Sequence, residues 1–334
     1  VLRNPTFPEN ELSRVKREHL IDLQRAKDDP TFIAEQNINV LMFGETTGYG
    51  HPAHGTESSV GSFTRSDLLN HYESVYRPDI AELIVVGDIT SSEVLRLSED
   101  VFSDWDGSHA NPNVLPVTRY DQIDRCTTIY LIDKPGAAQS VIRAGHTSVP
   151  RNHEDYYTLQ ILNFIFGGQF SARLNQNLRQ DKGYSYGFNS SITWYAERSM
   201  IVAGGSVQTE VTKESVREVL SEFDGVNRSR PITTQELVSS QEGLLKGYPS
   251  GFERPGQILG KLIQLVTNDM PDDYFQTLPA KFGNVTLQNV HNAGVSRINP
   301  EEMIVLVVGD RNNIEQGLRE LDLPVVILEI DGQR

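Results

Sequence analysis

The hydrophobic and polar positions along the chain predict alternating helices and strands. Apolar residues three and four positions apart predict amphipathic helices, whereas short apolar runs and strict alternation predict strands. In the second half of the chain the patterns predict strands at 127–133, 138–147, 184–195 and 200–207 and helices at 154–166, 170–182 and 209–223. This succession indicates an α/β fold.

Two segments of the chain match each other at a constant offset of 222 residues. YRPDIAELIVVGDITSSE at 76–93 corresponds to INPEEMIVLVVGDRNNIE at 298–315, and the match pairs Pro78 with Pro300. Each copy is predicted as a helix, a turn marked by proline, an apolar strand ending in Val-Gly-Asp, and a further capped helix. The repeat indicates two similar α/β domains in one chain.

The elements predicted at 127–223 have no counterpart in the first copy. We therefore expect residues 1–110 to be the C-terminal part of a first α/β repeat, with the rest of that repeat on a preceding segment. Half a repeat would otherwise expose unpaired strand edges and apolar surface. The stretch at 111–121, rich in proline and asparagine, is the expected linker, and 122–334 is the expected complete second domain.

Charge and composition narrow the possible functions. The net charge of −15 disfavours binding to nucleic acid, which requires basic surface, and no apolar run approaches the roughly 20 residues of a membrane span. Cys126 is the single cysteine, so an internal disulfide and a cysteine-based zinc knuckle are excluded. We expect Cys126 to be a buried structural thiol.

The segment RLNQNLRQDKGYSYGF at 173–188 carries the main candidate chemistry. Phe170, Leu174 and Leu178 are spaced to form the buried stripe of a helix that stops at Gly183.

Beyond this stop, Tyr184, Tyr186 and Phe188 alternate and are predicted to share one face of a strand. The chain reversal is expected to bring the guanidinium of Arg179 and the phenol of Tyr186 together. From these residues alone, a surface salt bridge for Arg179 and core packing for Tyr186 remain the alternative.

A glycine pair precedes this segment in FGGQFSARL, at Gly167 and Gly168. No Lys-Ser/Thr follows the pair and no G-x-G-x-x-G is formed, so the sequence does not predict a nucleotide site. Close approach of the backbone to a neighbouring element is the expected role of the glycines. The sequence also lacks the G-x-S-x-G motif of serine hydrolases.

The blocks GGQFSARLNQNLRQDKGYSYGF, HPAHGT and HYESVYRPDIAELIVVGDI together resemble the insulinase/pitrilysin-type metallopeptidases, the inverzincin group. The resemblance extends over essentially the whole chain. It implies tandem α/β-roll domains that face each other like a clamshell around an unfolded peptide, with the first copy incomplete here. In active members an H-x-x-E-H motif supplies two zinc-binding histidines and the glutamate that activates water.

This chain lacks H-x-x-E-H. The position that resembles the family's third zinc ligand, a glutamate, is Asp22, and that of an accessory acid is Val15. Aspartate is shorter by one methylene group and would reach the same metal position only after a shift of roughly 1.5 Å, which metal sites do not tolerate. Asp22 is thus a minor candidate ligand beside its interpretation as a solvated carboxylate. His19, His51 and His54 are not expected to bind metal.

The resemblance implies that Arg179 and Tyr186 bind the substrate beside the zinc. Both side chains can donate hydrogen bonds to a peptide carbonyl and stabilise charge that develops on its oxygen. We expect a component of a zinc metallopeptidase-like assembly that binds extended peptide, possesses no catalytic residue or zinc of its own and is inactive alone. Zinc would be supplied by an upstream half-domain or by a homologous partner subunit.

The alternative function is that of a catalytically inactive structural or assembly subunit of the same fold, and a third is a free-standing peptide-binding fragment. The expected partners are a peptide or unfolded protein and the zinc-bearing subunit or segment. Neither the substrate nor the compartment follows from the sequence; a bacterial envelope or cytoplasmic location is suggested by analogy alone.

Overall fold

The computed structural model describes residues 2–45, 47–105 and 126–330. The first part of the chain forms the helices α1 (Glu9–Ala26), α2 (Pro30–Phe43), α3 (Glu57–Ser62), α4 (Arg65–Val75) and α5 (Ser91–Phe102). The strands are β1 (Thr128–Asp133), β2 (Gln139–Ser148), β3 (Ser185–Trp194), β4 (Ser199–Gln208), β5 (Ile304–Gly309) and β6 (Val325–Leu328). The remaining helices are α6 (Tyr156–Phe166), α7 (Arg173–Asn175), α8 (Thr212–Asn227), α9 (Thr234–Gly247), α10 (Pro255–Thr267), α11 (Tyr274–Gly283), α12 (Leu287–Arg297) and α13 (Arg311–Arg319). The α/β fold predicted from the sequence is confirmed.

The six strands form one mixed sheet in the order β3-β4-β2-β5-β1-β6. β1 pairs in parallel with β5 and β6, whereas β2 pairs in antiparallel with β4 and β5, and β3 with β4. The predicted strand positions agree with the observed ones to within two residues at each end. β3 and β4 form a hairpin, and β3 lies at one edge of the sheet.

Both faces of the sheet are covered, and β5 shows this most clearly because all six of its residues are buried. Val305 and Val307 belong to a core cluster with residues of α6, α8 and α12. Leu306 and Val308 point to the opposite face, where they pack with residues of α2. An apolar strand without polar alternation is typical of a strand enclosed on both faces.

Chain contacts divide the described residues into two compact units. Unit 1 lies within Val1–Gln24, His54–Val117 and Gly247–Phe275, and unit 2 within Arg25–Ala53, Thr118–Lys246 and Gln276–Arg334. The sheet and both core clusters belong to unit 2. The domain boundaries predicted at 110 and 122 stay a prediction, and the linker predicted at 111–121 lies outside the described residues.

The caps predicted after the two Val-Gly-Asp segments are confirmed. The side chain of Asp310 accepts a hydrogen bond from the Asn312 N–H at 3.1 Å and begins α13. In the first copy the hydroxyl of Thr90 accepts from the Glu93 N–H at 3.3 Å and begins α5. Each cap satisfies one of the N–H groups that a helix start leaves without a partner.

The strand predicted in the first copy is wrong. β5 forms in the second copy, whereas the corresponding residues 82–87 have no regular secondary structure. A strand requires a hydrogen-bonded neighbour, and no strand is present among the described residues of unit 1. Leu83 is consequently 60% exposed and Val85 45% exposed.

The prediction that Cys126 is buried is also wrong, because its side chain is exposed. Cys126 precedes β1, which begins at Thr128, so it lies outside the part of the strand that the core encloses. Among the described residues no helix is both long and apolar enough to cross a membrane.

Candidate functional site

The helix predicted at 170–182 is short and continues with unusual geometry. α7 passes directly into a π-helical segment, Gln176–Asp181, in which the Lys182 N–H donates to the carbonyl of Asn177 at 3.0 Å. π turns are rare in proteins, and those that occur are often found at functional sites. The segment ends before Gly183, whose φ of 68° confirms the predicted stop, because glycine adopts this conformation without strain.

The predicted apolar stripe is correct for Leu174 and Leu178, which are fully buried, and wrong for Phe170, which is 65% exposed. α7 begins only at Arg173, so the residues at 167–172 form turns and do not follow the helical spacing that would place Phe170 on the buried side.

The glycine pair ahead of α7 makes the close approach expected from the sequence. A Cβ on Gly167 would lie 2.4 Å from the backbone nitrogen of Ser190 in β3. The carbonyl of Gly167 accepts a hydrogen bond from that N–H at 2.9 Å. This approach covers part of the outer edge of β3, where an added peptide strand would otherwise pair.

The buried side chain of Asn175 also bonds to the outer edge of β3, and both ends of its amide form hydrogen bonds. Its Nδ2 donates to the carbonyl of Phe170 at 2.7 Å, and its Oδ1 accepts from the Phe188 N–H at 3.2 Å. One side chain thus joins the turn that carries Phe170 to the strand that carries Tyr186.

The predicted alternation of Tyr184, Tyr186 and Phe188 on one face is wrong. Tyr184 is partly buried against the core and Phe188 is fully buried, whereas Tyr186 is 87% exposed. The pairing explains the difference: Ser185 lies opposite Val207 in β4 and Phe188 opposite Gly205, so β3 carries one extra residue and forms a bulge. A bulge redirects the side chains that it contains.

Arg179 lies in the π-helical segment, which packs against β3. Its guanidinium carbon is 4.5 Å from the centroid of the Phe170 ring, a cation–π contact. Within the described residues, neither Arg179 nor Tyr186 has a side-chain hydrogen bond or an ion pair. The direct proximity of guanidinium and phenol that the sequence suggested stays a prediction.

A polar cavity of about 530 Å³ lies beside α7 and is lined by residues of α6 to α9. Within it Arg173, only 9% exposed, donates to both carboxylate oxygens of Glu236 at 2.7 and 2.8 Å. Two further ion pairs lie here: Lys182 with Glu218 at 3.3 Å, and Arg230 with Glu222 at 2.6 Å. These opposite charges compensate one another: the Arg173–Glu236 pair joins α7 to α9, and the Lys182–Glu218 pair joins the end of the π-helical segment to α8.

The carboxylate of Glu236 is stabilised in its charged form. Partial burial alone would raise the pKa of Glu236, but hydrogen bonds from Arg173 and from Thr233 outweigh it and lower the pKa to about 2. Thr233 and Glu236 form a capping box at the start of α9, with reciprocal bonds of 2.8 to 3.3 Å. The spacing of this box is visible in the sequence, whereas its arginine partner 63 residues away is not.

The residues considered for zinc lie on α1 in unit 1. Val15 is 51% exposed and Asp22 is exposed, and His19 Nε2 lies 2.9 Å from the carbonyl oxygen of His54. In the ranges described, His, Cys, Asp and Glu side chains form no group of three that could hold a metal. The interpretation of Asp22 as a minor candidate ligand stays a prediction.

Comparison with known proteins assigns the chain to a family. The family model described as the peptidase M16 inactive domain matches residues 62–244. The chain belongs to this family. The predicted resemblance to insulinase/pitrilysin-type metallopeptidases is confirmed at this level.

Relatives of this M16 inactive-domain chain are named both as proteases and as non-peptidases. The uncharacterized zinc protease YmxG of Bacillus subtilis is 28% identical over 242 residues, which are 71% of this chain and 56% of that protein. The non-peptidase homolog YmxG of Helicobacter pylori is 20% identical over 311 residues, 90% of this chain and 66% of that protein. The chain thus spans little more than half the length of the Bacillus relative.

A solved structure supports the fold. The peptidase M16 inactive domain from Pseudomonas fluorescens superimposes with a TM-score of 0.81 at 22% identity, over 92% of this chain and 72% of that one. At this identity the likeness concerns the fold and not the activity.

Proposed function

We propose that this chain is a non-catalytic component of a zinc metallopeptidase-like assembly and binds extended peptide through Arg179 and Tyr186. Zinc and the water-activating glutamate would belong to an upstream segment or to a homologous partner chain, as in a heterodimer. The observation that carries the proposal is the exposure of Tyr186, 87% of whose surface is free, on an element that packs against the segment of Arg179.

The chemistry of the two side chains suits a peptide backbone. Guanidinium and phenol groups donate hydrogen bonds, and a peptide carbonyl accepts them. Because neither side chain has a hydrogen-bond or ion-pair partner among the described residues, peptide binding would not have to break a hydrogen bond or an ion pair there. Since the bulge turns Tyr186 outward and the Gly167 turn covers the edge of β3, we propose contact through side chains at this end of the strand.

Unit 1 supports the proposal of a partner. In unit 2 the repeat segment is enclosed, with β5 wholly buried and Leu318 of α13 fully buried. In unit 1 the matching segment exposes Leu83, and on one side of α5 Leu97 is 43% and Val101 48% exposed. An apolar helix side and an unpaired apolar segment are typical of a surface that another part of an assembly covers.

The binding proposal is tested with a fluorescently labelled unfolded peptide and anisotropy titrations of the purified chain. Arg179→Ala removes a charged donor and should weaken binding about tenfold or more, and Tyr186→Phe removes one neutral hydrogen bond and should weaken it about two- to tenfold. Arg228→Ala and Tyr76→Phe change an exposed arginine and tyrosine elsewhere and should leave the affinity unchanged.

The assembly proposal is tested by peptide cleavage with the chain alone and with a zinc-bearing homologue or upstream segment. Cleavage should require the combination, disappear with a chelator and decrease in the Arg179 and Tyr186 variants. Unchanged affinity in both variants would refute the site, whatever the cleavage result.

A second candidate function is that of a catalytically inactive structural subunit. It is favoured by Val15, an exposed apolar residue at the position of the accessory acid, and by the name non-peptidase homolog of the Helicobacter relative. Stable association with a partner, without cleavage of any unfolded peptide by the assembly, would support this function over the first.

A further inference from the structure

We propose that the exposed ring of Phe170 positions Arg179 for peptide binding. Phe170 would thus support the site formed by Arg179 and Tyr186 without contacting the peptide. This inference rests on the peptide binding proposed for Arg179 and Tyr186. Phe170 is a positioning residue, because its ring contacts the guanidinium and acts on the peptide through Arg179.

The geometry of the stack leaves the arginine able to bind. The guanidinium carbon lies over the Phe170 ring, 4.5 Å from the ring centroid, within the range of a cation–π contact. The N–H donors of a guanidinium lie in its plane and point away from its faces. The contact with Phe170 therefore restricts the side chain of Arg179, while its N–H donors have no hydrogen-bond acceptor among the described residues and are available to a peptide carbonyl.

The backbone beneath the ring is fixed on both sides of the stack. Asn175 holds the carbonyl of Phe170 at 2.7 Å and the N–H of Phe188 at 3.2 Å. The backbone of Arg179 is held in the π-helical segment, in which the adjacent residue Leu178 is fully buried. Ring and guanidinium thus project from anchored backbone, although the ring itself is 65% exposed.

Restriction of Arg179 in the free protein has a consequence for binding. A long side chain loses rotamer freedom when it binds, and a side chain already held near its bound position loses less. The ring should therefore strengthen peptide binding only through Arg179, and this dependence distinguishes positioning from direct contact.

The test is a double-mutant cycle on the peptide dissociation constant with Phe170→Leu, Arg179→Ala and the combination. Phe170→Leu keeps apolar bulk but removes the aromatic ring, and should weaken binding about two- to fivefold. In the Arg179→Ala background the same change should have no effect. Phe170→Tyr keeps a ring and should restore the affinity.

A second measurement follows the stack without peptide. The side-chain Nε–H proton resonance of Arg179, assigned with Arg179→Lys, should lie upfield because of the ring current and should move downfield in Phe170→Leu. Because Phe170 is exposed, its variants should retain the melting temperature of the parent protein.

The outcomes separate the two proposals. If Arg179→Ala weakens binding and Phe170→Leu does not, the positioning role is refuted and the Arg179 site stands. An equal loss from Phe170→Leu with and without Arg179 would mean direct peptide contact and also refute positioning. If Arg179→Ala has no effect on binding, the positioning role is refuted; if Tyr186→Phe has no effect either, the peptide-binding site is refuted as well.

Discussion

Removal of the charge at Glu236 should destabilise unit 2 in a way that depends on pH. Glu236→Gln keeps the size of the side chain and an oxygen that can serve the capping box with Thr233. It removes the carboxylate that receives two hydrogen bonds from Arg173, which is only 9% exposed. A nearly buried guanidinium would then lack its anionic partner.

The magnitude follows from the lowered pKa. The fall from 4.5 to about 2 corresponds to roughly 3 kcal/mol of stabilisation of the folded state. The side chain of Glu236 is still 30% exposed, so solvent screening reduces this to about 2 kcal/mol. Because the folded pKa lies below the unfolded one, the stabilisation is present above pH 4.5 and is lost as the pH falls from 4.5 towards 2.

The assay is urea unfolding followed by tryptophan fluorescence between pH 7 and pH 2. Trp105 lies in unit 1 and Trp194 in unit 2, so a Trp105→Phe background makes Trp194 the reporter of unit 2. Glu236→Gln should lower the free energy of unfolding by about 2 kcal/mol at pH 7, and the difference from the parent should vanish near pH 2.

A matched control lies on the same helix. Glu242 pairs with Lys246 at 2.9 Å, but both side chains are more than half exposed, so Glu242→Gln should change the stability by less than about 0.5 kcal/mol. Parallel pH profiles of the parent and the Glu236 variant between pH 5 and pH 2 would refute the reasoning.

Two further predictions concern the sheet. Gly167→Ala should lower the free energy of unfolding by about 1–3 kcal/mol, since the added Cβ would lie 2.4 Å from the Ser190 nitrogen. Gly283→Ala is the control, because a Cβ there meets nothing within 4 Å and should have a much smaller effect. Equal losses of stability in urea unfolding would contradict this prediction. Burial lowers the pKa of His146, so the stability of the protein should fall as the pH decreases below 6.5. His146→Gln should lack this part of the pH dependence. An unchanged slope of unfolding free energy against pH in the variant would count against this prediction.

Local patterns predicted most secondary-structure elements of unit 2 because their causes are local. The apolar run at β5, the cap at Asp310 and the stop at Gly183 each act within a few residues of the chain. The glycine pair at 167–168 likewise has the role that its sequence predicts, since two adjacent glycines leave space for a neighbouring backbone.

The site was predicted only in part, because its geometry depends on distant residues. Arg179 and Tyr186 came from the family resemblance, and their peptide-binding role stays a proposal. The bulge that turns Tyr186 outward is defined by pairing with β4, and the residue pattern at 184–188 does not predict it. The exposure of Phe170 likewise follows from turns that delay the start of α7.

The sequence by itself determined the α/β class, the repeat, the family and most elements of unit 2, because propensity, capping and hydrophobic period act over short distances. Tertiary structure decided which of these elements became strands and which side chains reached the surface. Residues 82–87 resemble β5 in sequence, but only β5 has strands on both sides to complete its hydrogen bonds. A strand's hydrogen bonds are made with other strands, so its formation depends on the partners that the fold provides.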